Sequence, residues 1–133
     1  MFKLFTLEGA TRMLPLVEDR LQEFEDALRE LHEAQERLER ADLSAVEAQG
    51  ARQELAFLMR ATQDARREVE RLGVQVPDLE TGVVEFPSRI GGEVVHLVWE
   101  RGDEAITRYH RLTGDESPRP LEPGASAASP PTV

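Results

Sequence analysis

Residues 6–41 read TLEGATRMLPLVEDRLQEFEDALRELHEAQERLERA. Leu7, Ala10, Leu14, Val17, Leu21, Phe24, Leu28, Leu31 and Leu38 recur in this stretch at alternating spacings of three and four. Only Gln35 interrupts the series. Such spacing puts the apolar side chains on one stripe of an α-helix and predicts a helix over 6–41 with a heptad-like seam. Thr6 is a suitable N-cap, and Glu8 lies in the first turn, where the positive end of the helix dipole favours an anion. Pro15 removes one backbone donor near the start and is expected to kink or tighten those turns.

Beyond the first helix the seam loses phase around residues 40–44. Asp42 and Ser44 are both candidate N-caps, which puts a turn there. A second series follows: Ala48, Ala51, Leu55, Leu58, Thr62, Ala65, Val69 and Leu72. It predicts a helix over 44–72, with Gly73 as its C-terminal stop. At 1.5 Å per residue the helices are about 50 and 42 Å long. Only a few residues join them, so they must fold back antiparallel.

Downstream the pattern changes. Residues 74–79 are extended around Pro77. Val83-Val84-Glu85-Phe86 and Glu93-Val94-Val95-His96-Leu97-Val98-Trp99 have strand composition and flank Gly91-Gly92, predicting a β-hairpin over 83–100. Asp103 is placed to cap a short helix over 103–112, ended by Gly114. Residues 122–133 are rich in Pro, Ala and Ser and are expected to be a disordered tail. The expected fold is mainly α with a small β part: a long antiparallel, coiled-coil-like helical hairpin, then a two-stranded β-hairpin and a short C-terminal helix. Residues 1–121 are read as a single domain.

Composition narrows the function classes. The 133 residues carry 16 basic and 26 acidic side chains, a net charge of −10. That total disfavours a nucleic-acid partner or an anionic membrane surface, both of which need cationic faces. With no cysteine, disulfides, thiolate catalysis and cysteine-based metal sites are excluded. No apolar run approaches the roughly 20 residues of a membrane span, and a soluble cytoplasmic protein is the default expectation.

The polar residues of chemical interest lie in the C-terminal half. Strand alternation puts Val95, Leu97, Trp99 and Phe86 on a core face, and Glu85 and His96 on the opposite, more exposed face as possible cross-strand neighbours. Glu85, Arg89, Glu104, His110 and Arg119 are the candidate ligand-binding residues. Imidazole with carboxylate suits zinc, iron or manganese. Gathered arginines suit an anion. No His-x-x-x-His or His-Glu-x-x-His spacing occurs, so no metal ligand set and no cofactor is indicated by motif. No motif commits to a reaction or names a catalytic residue. His32 lies beside the seam on a charged helix, where a structural or solvated role is expected.

The segments 78–87 and 92–106, followed by Tyr109-His110 and Arg119-Pro120-Leu121, resemble the bacterial family catalogued as domain of unknown function 2203. The opening Phe5-Thr6-Leu7-Glu8-Gly9-Ala10 is similar to the family's N-terminus. The resemblance covers 5–121 and implies no activity. This chain departs from the family pattern at His96, where the family carries tyrosine, and at Tyr109, where it carries tryptophan. The resemblance therefore assigns His96 no role.

Met13, Leu16 and Ala27 lie off the first seam, and Phe57 and Met59 off the second; these apolar side chains need cover. The expected function is a non-enzymatic structural or protein-interaction module that homodimerises through its helices. The alternative is a small enzyme or a metal- or anion-binding protein, with its site on the β-hairpin and the following short helix.

Overall fold

A computed structural model describes residues 3–40 and 42–121 of the chain. The chain divides into two compact units: the N-terminal residues through Leu16 together with Glu70 onward, and Val17–Val69.

Two long packed helices form first, α1 (Leu7–Leu38) and α2 (Ala45–Glu70). Thr6 caps α1: its Oγ1 accepts from the Gly9 N–H at 2.6 Å. Ser44 rather than Asp42 caps α2, through a reciprocal pair. The Glu47 N–H donates to Ser44 Oγ, and the Ser44 N–H donates to Glu47 Oε1, each at 3.1 Å. The Ser44 backbone N–H, and after it the Ser44 hydroxyl, hold the Glu47 carboxyl below its ordinary pKa.

In the helical unit Val17, Leu21, Phe24, Ala34, Leu58, Thr62 and Val69 are buried. Full burial of a side chain such as Leu21 contributes about 1.5–3 kcal/mol. Ala34 takes the position that Gln35 was expected to interrupt, and Gln35 is exposed. Thr62 is tolerated in the seam because its hydroxyl donates to the Leu58 carbonyl at 2.8 Å. An ion pair between Arg37 and Glu54 links the two helices.

The other unit is built on a five-stranded antiparallel sheet with strands in chain order: β1 (Gln75–Asp78), β2 (Val83–Ile90), β3 (Glu93–Glu100), β4 (Arg108–Arg111) and β5 (Arg119–Pro120). The β2–β3 hairpin matches the expected span. Its two-residue turn, Gly91-Gly92, has φ of +58° and +83°, a conformation that only glycine takes without strain. Val84, Phe86, Val95, Leu97 and Trp99 are all at most 2% exposed and make the core face of the sheet. The N-terminal segment packs here as well. The Phe5 N–H donates to the Pro87 carbonyl at 2.7 Å, and Ser88 Oγ donates to the Phe5 carbonyl at 2.7 Å. The Phe5 and Phe86 rings meet edge to face at 5.3 Å.

The expected class, mainly α with a two-stranded β part and a C-terminal helix, is corrected by this sheet: the chain is α+β. Residues 103–112 form no helix. Asp103 turns its acceptors backwards instead of capping. Its Oδ2 accepts from the Glu100 N–H at 3.0 Å, and its carbonyl accepts from the Trp99 indole N–H at 3.0 Å. The loop then buries Ile106 and delivers residues 108–111 to the free edge of β3. The unpaired β3 backbone outcompetes a short helix, which would gain few hydrogen bonds for its nucleation cost. β5 extends the sheet on β4, with the Leu121 N–H donating to the Thr107 carbonyl at 2.8 Å. The expected tail, 122–133, lies outside the described residues. No helix among the described residues is long and apolar enough to cross a membrane.

Candidate metal centre

Register brings three potential ligands to one face of the sheet. Pro87 pairs with His96 and Glu85 with Val98 across β2 and β3, and His96 pairs with His110 across β3 and β4. Paired residues in an antiparallel ladder share a face, and residues two apart along a strand share it too. Glu85, His96 and His110 therefore converge from three adjacent strands. Each offers a ligand atom, and those atoms lie within 4.8 Å of one another.

The Glu85 carboxylate sits between the two imidazoles. His96 Nδ1 is 2.8 Å from Glu85 Oε1, and His110 Nε2 is 3.1 Å from Glu85 Oε2. The rings of His96 and His110 are 5.4 Å apart at 72°. The expected exposure of this face is corrected: His96 is 7% exposed, and the side chains of Glu85 and His110 retain 16% and 15%.

Proton positions follow from the partners. His110 Nδ1 lies 2.9 Å from the Arg111 carbonyl, which can only accept, so Nδ1 carries a hydrogen. Nε2 then faces Glu85 either protonated, as an imidazolium, or with a lone pair directed at a carboxylate. The second state is repulsive unless a cation lies between them. Burial alone would lower the His110 pKa. The hydrogen bond to the Arg111 carbonyl and the facing Glu85 carboxylate outweigh it and raise the value above the ordinary 6.5, with Glu116 adding to the effect. Glu85 is held below its ordinary pKa, chiefly by its bond to His96 and further by His110, against the cost of burial.

Of the sequence-predicted candidates, Glu85 and His110 meet in this cluster. Arg89 lies on the same sheet face, two positions along β2 from Pro87. Glu104 is exposed in the loop between β3 and β4 and is not part of the cluster. Arg119 pairs in register with Tyr109, which puts it on the opposite face, and its guanidinium is 3.7 Å from Asp115. His96 was the missing member. Alternation had put it on the Glu85 face, but placing 103–112 in a helix removed His110 from the line of strands that joins them. His32 is exposed on α1.

Fold and site together define a small α+β protein in which an antiparallel sheet carries a half-buried His-Glu-His cluster. The chain belongs to the family described as Uncharacterized conserved protein (DUF2203), whose model matches residues 3–119. No curated protein and no solved structure matches the chain.

Proposed function

We propose that this protein binds a divalent transition metal through Glu85, His96 and His110. The observation that carries the reading is the convergence of one carboxylate and two imidazoles in a half-buried position, with the far nitrogen of His110 held by a backbone carbonyl. Metal-ligating histidines commonly have that second-shell bond, which fixes the tautomer and aims the other nitrogen at the ion. Two histidines and one carboxylate suit zinc, iron(II) or manganese(II), and three protein ligands leave positions open for water or a small ligand. In a tetrahedral zinc site with bonds of about 2.0–2.1 Å, donor atoms stand about 3.3 Å apart. The donor atoms of Glu85, His96 and His110 lie within 4.8 Å of one another and would draw together to that value around an ion.

Protons occupy the same positions in the metal-free protein, so metal and protons compete for them. Elemental analysis after loading with zinc, iron(II) or manganese(II) and gel filtration tests the reading. The expected result is one equivalent of one of these metals in the wild type and a loss of it in both His96→Ala and His110→Ala. Failure of all three metals to remain bound, or retention in both variants, sinks the proposal.

Self-association through the helices is a second reading. It is favoured by Val46 and Phe57, which are 82% and 64% exposed on α2 and, about three turns apart, lie on one side of it. Light scattering on the wild type and Phe57→Ser tests it: a dimer that the substitution dissociates supports it, and a monomeric wild type ends it.

A further inference from the structure

The sheet face that carries the His-Glu-His cluster also carries a cation with an unmet hydrogen bond. Arg89 pairs with Val94, and Pro87 with His96, so Arg89 lies diagonally across the strand pair from His96. Long side chains bridge that separation. The Nε of Arg89 is buried and has no hydrogen-bond partner among the described residues. The arginines of β4 and β5 differ: Arg108 is paired with Asp103, Arg111 with Glu93 and Arg119 with Asp115. Buried N–H groups without an acceptor are rare in folded proteins, because the bond to water they lose is not replaced.

The charge of the face points the same way. A divalent ion on Glu85, His96 and His110 would leave one net positive charge, with the imidazoles neutral, and Arg89 adds a second. The residues placed beside Arg89 on this face are Pro87, Val94 and His96, none of them an acid; Glu100, paired with Val83, lies at the far end of the strands. No carboxylate neighbours Arg89 in register on this face, and the planar guanidinium matches an oxyanion in geometry as well as charge.

We infer that the site takes a small oxyanion, a carboxylate or phosphate group, which ligates the metal through one oxygen and accepts hydrogen bonds from Arg89 through another. This rests on the metal-binding reading above. Arg89 is then the group that selects the ligand, while Glu85, His96 and His110 hold the ion.

The test uses the full chain loaded with cobalt(II), whose visible spectrum reports its coordination. Malonate and inorganic phosphate are titrated separately into the wild type, Arg89→Gln and Arg89→Lys. At least one anion is expected to alter the wild-type spectrum saturably and to bind about tenfold or more weakly to Arg89→Gln, the cost of one charge-assisted contact. Arg89→Lys, which keeps the charge and loses the planar fork, should fall between them. Cobalt affinity should stay within about twofold across the three proteins, as expected when the substituted group is not a ligand. Which anion binds distinguishes a carboxylate from a phosphate ligand. If cobalt binds and neither anion does, or anion affinity is the same in the wild type and both variants, the inference is overturned and the metal site stands. If the wild type takes up no cobalt, the inference falls, and the metal-binding reading is decided by the loading test above. Should Arg89→Gln not fold, equal affinity in Arg89→Lys and the wild type overturns the inference.

Discussion

Removing the Glu85 side chain should destabilise the metal-free protein by about 2–4 kcal/mol, and the site geometry sets that range. The carboxylate accepts from His96 at 2.8 Å and from His110 at 3.1 Å, with 16% of its side chain exposed. Charge-assisted bonds contribute about 1.5–3 kcal/mol each. Glu85→Ala loses both and leaves two imidazoles short of a partner, which gives an upper value near 6 kcal/mol. Two effects reduce it. Water reaches a site that is not fully closed, and His110 can give up its extra proton once the carboxylate is gone. Urea unfolding of the wild type and Glu85→Ala in the presence of a chelator measures the difference. A double-mutant cycle with His110→Ala isolates the pair and should return a coupling of about 1 kcal/mol or more. A loss under about 0.5 kcal/mol, with no coupling, would refute the claim that these three side chains form one buried network.

The pH dependence of the metal-free protein has a sign on each side. Glu85, held below 4.5, contributes stability that is present above 4.5 and lost as pH falls through its lowered folded value; His110, raised above 6.5, contributes stability that is full below 6.5 and lost as pH rises through its folded value. The network's contribution, measured by urea midpoints, should therefore be largest between these two values, and Glu85→Gln should flatten the acid limb. At the start of α2, Ser44→Ala should cost about 1 kcal/mol in urea unfolding, since it removes the acceptor for the Glu47 N–H. Gly82→Ala should cost about 1–3 kcal/mol in the same assay. Gly82 has a φ of +70°, and an added Cβ would lie 2.8 Å from Arg101 Cβ.

The helices were legible because their signal is local and repeated. Leu14, Val17, Leu21 and Phe24 mark a buried stripe without help from the rest of the chain, and Ser44 three residues before Glu47 marks a start. The β2–β3 hairpin was legible from Gly91-Gly92 between two β-branched runs. What failed was decided at a distance. The 108–111 segment, Arg-Tyr-His-Arg, has weak intrinsic preference, and the open edge of β3 assigns it to the sheet. Arg119-Pro120 reads as part of a proline-rich tail, yet it pairs with β4 at the sheet's edge, where a proline is tolerated. The site shared this fate. Glu85 and His96 lie on one face by alternation alone, but His110 joins them only after β4 docks. Burial of the cluster was not legible either, since two histidines and a glutamate suggest a wet face.

The identity of the atoms in the cluster provides the most direct test. The chain has three histidines, His32, His96 and His110, so imidazole nitrogens can be assigned one by one in a long-range nitrogen–proton NMR correlation spectrum. With one equivalent of zinc(II), Nε2 of His110 and Nδ1 of His96 should move together to metal-bound shifts, while His110 Nδ1 keeps its hydrogen and His32 stays unchanged. A spectrum in which zinc leaves His96 and His110 untouched, or shifts His32 alone, would contradict the metal centre on which the functional account stands.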